Sequence, residues 1–181
     1  DLENYPDTEA QFGGRVAYPR LQYLDHNPTL DLATFNVPEE FVGKAHKTIH
    51  TPAGWPPRPI QPGEIVLYGG YPGVLKEPVK GQIVWPFQSF IWRVTDVTET
   101  NIVMHVDFPN LFWPGHEEER INENPRGISG GPVFRIFEDL ANRRVGLELV
   151  GIVYEYFEPW EVVQARHIRH VLANGSLVPL S

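Results

Sequence analysis

Gly127-Ile128-Ser129-Gly130-Gly131-Pro132 runs straight into Val133-Phe134-Arg135-Ile136-Phe137, and the fold turns on how this junction is read. Glycines on both sides of the serine allow a tight backbone turn and leave the hydroxyl exposed. They also let successive N–H groups point at one spot, as an oxyanion hole requires. The donors would be the N–H groups of Gly127 and Ser129. The plainer alternative is a glycine-rich β-turn with a solvated serine, because short motifs of this kind match by chance. Val133 to Phe137 is β-rich and a poor helix, so the turn opens into a strand.

Outward from this junction, the pattern stays β. Val145 to Tyr156 reads as a strand that turns back from Pro132–Phe137 through Asn142-Arg143-Arg144. Upstream, Glu64 to Tyr68 is a short strand stopped by Gly69-Gly70-Tyr71-Pro72-Gly73. Gly81 to Trp85, Phe90 to Val97 and Asn101 to Val106 are further short strands, with Thr98-Glu99-Thr100 as the hairpin turn between the last two. Arg15 to Leu24, with Pro19 inside, suggests a bent or edge strand. After a turn at Asp25-His26-Asn27-Pro28, Leu30 to Val37 alternates like a strand with a conspicuous charge, Asp31. Only Val162 to Ala173 has helical spacing: Val163, Arg166–His167 and His170–Val171 fall about a turn apart, and Asn174-Gly175 stops it. Many short strands, one late helix and no βαβ alternation indicate an all-β antiparallel barrel or sandwich.

Composition sets the limits. The chain has 181 residues, the size of one domain. Lys plus Arg number 15 and Asp plus Glu 23, for a net charge of −8, which argues against a nucleic-acid binder with a basic face. Trp85, Trp92 and Trp113 are accordingly read as core or cleft walls rather than a base-stacking platform. Proline, at 18 residues, is about twice as frequent as the usual ~5 % and breaks the chain into short extended pieces. With no cysteine, there is no disulfide, no thiol nucleophile and no Cys-based zinc site; this is compatible with a reducing compartment, and a cytoplasmic location is expected. No apolar run approaches the ~18 residues of a membrane span. The chain begins Asp1-Leu2-Glu3 without a methionine, as a fragment or processed product would.

Two enzyme classes use a serine between glycines. The nucleophile elbow of α/β-hydrolases needs a helix after the serine and the order Ser, acid, His. Asp139 and His167 would satisfy the order, but the helix and the parallel sheet are missing from the pattern. By contrast, Gly127 to Phe134 resembles the G-x-S-G-G-P motif of trypsin-like serine peptidases, which opens into a strand. Leu147 to Tyr154 (LELVGIVY) looks like the strand that follows the nucleophile and lines the cleft in that family. Residues 165–173 look like its C-terminal helix, and Asp31-Leu32-Ala33 like the motif around the triad aspartate. Glu64 to Gly73 (EIVLYGGYPG) resembles the glycine-rich strand and turn of the bacterial and intracellular branches. The resemblance covers about Arg15 to Gly175.

It implies a trypsin-like double β-barrel with a C-terminal helix, one peptidase domain over residues 1–181, truncated at its N-terminus so that the first barrel is incomplete. It implies peptide-bond hydrolysis through an acyl-enzyme on Ser129, with Asp31 as the triad acid and Gly127 and Ser129 as oxyanion donors. No cofactor or metal is required, and the partner is a peptide or protein substrate. Spacing agrees: 129 − 31 = 98 residues, against roughly 93 in the chymotrypsin template. An aspartate within an apolar strand also needs a partner, since a buried carboxylate is costly alone; the plainer alternative is a strand-edge residue capping a turn. By the resemblance, the residue six before the nucleophile, Glu123, would fall at the base of the primary pocket and favour cleavage after Arg or Lys; the plainer alternative is a solvated loop charge. Tyr154, with Glu155 and Tyr156, continues the cleft strand and narrows that pocket.

The histidine departs from the family. It should precede the aspartate by roughly 45 residues, yet only His26 lies ahead of Asp31. The triad histidine then belongs to an upstream segment or a second chain, or the chain is an inactive relative that binds peptides or proteins in the same cleft. His46 and His50 lack the glutamate of H-E-x-x-H, His116 reads as part of a solvated loop, and His167 and His170 as partly exposed residues of the late helix.

Overall fold

A computed structural model describes residues 22–37, 39, 54–73, 77–79, 82–84, 87–107, 126–139 and 143–178. The chain divides into two compact units, Asp1–Trp55 with His170–Ser181, and Pro56–Arg169.

The larger unit is built on one antiparallel sheet. Its strands are β3 (Ile65–Gly70), β6 (Gln88–Arg93), β7 (Asp96–Val97), β8 (Asn101–His105), β9 (Pro132–Asp139), β10 (Arg144–Phe157) and β11 (Val162–His167), in the order β6-β3-β9-β10-β11-β8-β7. A small hairpin of β4 (Glu77–Val79) and β5 (Gln82–Val84) stands apart from it. The two outermost strands of the large sheet, β6 and β7, are consecutive pieces of one segment, and Val94 and Thr95 join them. Val94 still pairs with the β3 side, its N–H donating to Glu64 O at 2.9 Å, whereas the Thr95 N–H donates to Val103 O on β8 at 2.9 Å. The sheet therefore curls into a barrel-like form, with β6 and β7 as its two ends.

Alternation along these strands places the core inside the curl. Val66 and Tyr68, Phe90, Ile102 and Met104, Val133, Val153, and Val163 and Ala165 are buried together, with Ile60, Val106 and Ile128 closing over them. Tyr68 stacks on Phe90, ring centroids 5.2 Å apart. Trp92 packs against this core from outside, while Trp85 and Trp113 lie beyond the described residues. Arg135, 1 % exposed, is the one buried cation of this core region among the described residues. Its guanidinium is bound to Glu148, lies 3.4 Å from Glu64, and donates to the Arg58 carbonyl at 3.2 Å.

The expected C-terminal helix is not formed. Val162–His167 is a strand, followed only by a 3₁₀ turn over Ile168–His170. The helical spacing coincided with a period of two, in which Val163, Ala165 and His167 are buried and Gln164 and Arg166 less so. β-branched Val162 and Val163 favour a strand, and pairing with β10 on one side and β8 on the other decides the outcome. His167 and His170 are consequently buried rather than partly exposed. The hairpin turn at Thr98–Thr100 is as expected.

In the smaller unit, β1 (Gln22–Asn27) and β2 (Leu32–Asn36) form a hairpin. Its turn lies at Pro28–Asp31, later than the expected Asp25–Pro28, because Asn27 Oδ1 accepts the N–H groups of Thr29 and Leu30 at 2.9 and 3.1 Å. The segment after His170 docks on this hairpin: Leu177 N–H donates to Asp25 Oδ2 at 2.8 Å, and Thr34 Oγ1 to Gly175 O at 2.6 Å. A double barrel is not seen among the described residues, where this hairpin is the only sheet of the smaller unit. No helix of the described residues is long and apolar enough to cross a membrane.

Candidate functional site

The serine turn joins the start of β9 to the middle of β10. Gly131 N–H donates to Ile128 O at 2.9 Å, closing a tight turn around Ser129 and Gly130. Gly130 N–H donates to Val153 O at 2.7 Å and Val153 N–H to Gly131 O at 2.8 Å, so the exit of the turn is bolted to β10 just before its bulge between Val153 and Glu155. On the entry side, Gly73 N–H donates to Arg126 O at 2.8 Å. Gly127 has φ +97° and Gly130 φ +84°, backbone conformations that L side chains adopt only at a cost. Buried Ile128 anchors the turn in the core, which leaves Ser129 exposed at its tip.

This arrangement sorts the N–H groups of the motif. Those of Gly130 and Gly131 are spent on Val153 and Ile128. Those of Gly127 and Ser129, the two expected oxyanion donors, have no acceptor among the described residues, and Ser129 Oγ has no hydrogen-bond partner there either. Both residues are exposed, so these N–H groups can donate to water or to a ligand.

The other expected residues fall in different places. Tyr154 lies beside the bulge of β10, but its hydroxyl is bonded to Gln164 and its ring lies under the Arg166 guanidinium, 3.8 Å from ring centroid to Cζ. Asp31 belongs to the smaller unit and is exposed in the β1–β2 turn with φ +53°. Burial forces no partner on it, because the residue precedes the strand instead of sitting within its apolar face. Aspartate tolerates this left-handed conformation better than most residues. Glu123, His46, His50 and His116 lie outside the described residues. His167 points its Nε2 at Thr98 O, 3.1 Å away. Among the described residues, no cluster of three or more His, Asp or Glu could hold a metal.

Sequence reasoning missed the aromatic surroundings of the turn. Tyr71 and Phe87 meet edge to face beside it, and Phe157 stacks on Trp160 beyond the bulge of β10. The Arg126–Glu158 ion pair ties this second pair to the residue that precedes Gly127. The available signal was Tyr71 itself, in Gly69-Gly70-Tyr71-Pro72-Gly73, a stretch read for its glycines as a strand stop and turn and not for its aromatic side chain. No family model, curated protein or solved structure matches the chain.

Proposed function

We propose that the chain is of the trypsin-like serine peptidase type, with Ser129 as its nucleophile, and that the larger unit is the serine-bearing barrel of such a fold. The observation that carries this reading is the division of labour in the serine turn. Two N–H groups fix the turn to Ile128 and Val153, and two others, on Gly127 and Ser129, have no acceptor among the described residues and would serve an oxyanion. In the reaction, Ser129 Oγ bonds to the carbonyl carbon of the scissile peptide and yields its proton to a histidine outside the described residues. The amine leaves with that proton, and water then hydrolyses the acyl-enzyme ester. Asp31 is assigned as the acid by the Asp31-Leu32-Ala33 motif alone. Hydrogen-bond donors aimed at the developing oxyanion supply a large share of such catalysis.

A second reading, a catalytically inactive relative that binds peptides, is favoured by the lack of a histidine on Ser129 Oγ among the described residues. One experiment separates the two. The natural full-length protein, treated with a fluorophosphonate probe, is expected to label at Ser129 and to lose the label in Ser129→Ala. No labelling of the folded protein leaves the binding reading in place, and labelling that survives Ser129→Ala removes Ser129 as nucleophile.

A further inference from the structure

Beside the serine turn stand two large aromatic side chains that the core does not use. Tyr71 is 51 % and Phe87 53 % exposed, and their ring centroids are 5.3 Å apart at an interplanar angle of 73°. A single exposed aromatic is ordinary. A pair braced edge to face holds its shape, because that geometry aligns the positive edge of one ring with the negative face of the other.

The backbone fixes this pair to both ends of the turn. Tyr71 O lies 3.3 Å from where a Cβ on Gly127 would stand, and its neighbour Gly73 is hydrogen-bonded to Arg126. The Phe87 ring lies on Gly69, its Cζ 2.8 Å from where a Cβ there would stand, and Gly69 O in turn fills the Cβ position of Gly131. The Tyr71 backbone therefore borders the entry of the turn, and the Phe87 ring covers Gly69, whose carbonyl borders the exit.

We propose that Tyr71 and Phe87 form a specificity subsite that takes a bulky apolar side chain, aromatic or branched, of the peptide whose carbonyl Ser129 receives. The proposal rests on the reading of Ser129 as the reacting residue and adds the class of peptide it accepts. The two rings give such a side chain an apolar wall already in place, so little ordering entropy is lost on binding. A small or charged side chain gains nothing from them.

The test is calorimetric titration of full-length Ser129→Ala with acetylated hexapeptides that differ at one central position: Phe, Leu, Ala or Lys. Phe and Leu are expected to bind about tenfold more tightly than Ala or Lys, the effect of burying most of one apolar side chain. Tyr71→Ser and Phe87→Ser should each erase the difference. Phe87→Leu, which keeps an apolar wall if Phe87→Ser does not fold, should retain the Leu preference and weaken that for Phe. Val145→Ser, at a site 69 % exposed on the far end of β10, should change nothing. Equal affinities, no binding of any peptide, or a preference unchanged in both aromatic variants overturns the subsite. A protein that discriminates through Tyr71 and Phe87 but resists fluorophosphonate keeps the subsite and loses the peptidase reading. A protein labelled at Ser129 without such discrimination does the reverse.

Discussion

The carbonyl oxygen of Gly69 on β3 occupies the space in which a side chain on Gly131 would begin. The two neighbouring glycines of the serine turn are thus required for different reasons. Gly131 is needed for close approach, since a methyl group there would overlap backbone that cannot swing away. Gly130 has open space around it and only its φ of +84° to protect. Gly131→Ala is expected to cost about 3 kcal/mol, the upper range for overpacking. Gly130→Ala should cost about 1 kcal/mol, the left-handed penalty. Urea midpoints compared at constant m-value check this, and equal losses would refute the assignment.

The second prediction concerns Arg135. With 1 % of its side chain exposed, it depends on Glu148, Glu64 and two carbonyls for its solvation. Removing one partner strands a buried charge, whereas replacing the cation by an apolar side chain of similar volume does not. Glu148→Ala should therefore destabilise by about 3 kcal/mol, the lower end for breaking a buried pair because Glu64 remains. The double variant Arg135→Met/Glu148→Ala should recover part of that loss in the same denaturation assay.

The same cluster makes a pH prediction. Burial alone would raise the Glu64 carboxyl. The Arg58 hydrogen bond, the Gln61 N–H and the charges of Arg135 and Arg58 outweigh it and hold the group below its ordinary value of 4.5. A carboxyl depressed in the folded state stabilises above its unfolded pKa, and that contribution is lost as pH falls through the folded one. On the acid side, the denaturation midpoint should thus hold a plateau down to about pH 4.5 and decline below it. Glu64→Gln should lower the plateau and flatten the decline.

Most of the larger sheet was legible in the sequence because its strands carry their own signals. Glu64 to Tyr68, Pro132 to Phe137 and Val145 to Tyr156 are rich in β-forming residues and are bounded by glycine or turn residues, and Thr98-Glu99-Thr100 marks a hairpin. The serine turn was legible for the same reason, since its glycines act locally. What failed depended on distant partners. Val162 to His167 carries two periods at once, and its neighbours β10 and β8 chose between them. Asp31 changed from a strand residue to a turn residue through Asn27, whose side chain sets the hairpin. Tyr71 and Phe87 meet across a loop and over Gly69, a contact that no window of sequence contains.

In the smaller unit, Asp25 carries a stability prediction of its own. Its Oδ2 accepts the Leu177 N–H at 2.8 Å and pins the C-terminal segment to the β1–β2 hairpin. Asp25→Asn keeps an oxygen acceptor and should be tolerated. Asp25→Ala leaves that N–H unmade, at a cost of about 1–2 kcal/mol. Hydrogen exchange at the Leu177 amide should accelerate roughly tenfold in Asp25→Ala, the rate equivalent of about 1.4 kcal/mol. An unchanged rate would show that Thr34 and its bond to Gly175 suffice to hold the segment.

Alkaline pH addresses the core of the larger unit through Tyr156. Burial, with the negative charges of Glu158 and Glu161 adding and Arg126 opposing, pushes its phenol from 10.0 up to about 12. Burial inside the curl holds Tyr68 above its ordinary value as well, with Tyr156 contributing. Both phenols stay protonated in the folded chain at a pH where those of the unfolded chain ionise. The unfolded state then binds fewer protons, so stability falls as pH rises. The contribution is fully present below about pH 10 and is lost on approach to about pH 12. Phenolate absorbance should show Tyr156 and Tyr68 titrating above the ordinary phenol value of 10.0. Over the same range, the urea midpoint of Tyr156→Phe should decline less steeply than that of the parent. A parallel decline would mean that Tyr156 titrates as a solvated phenol and is not held by the barrel.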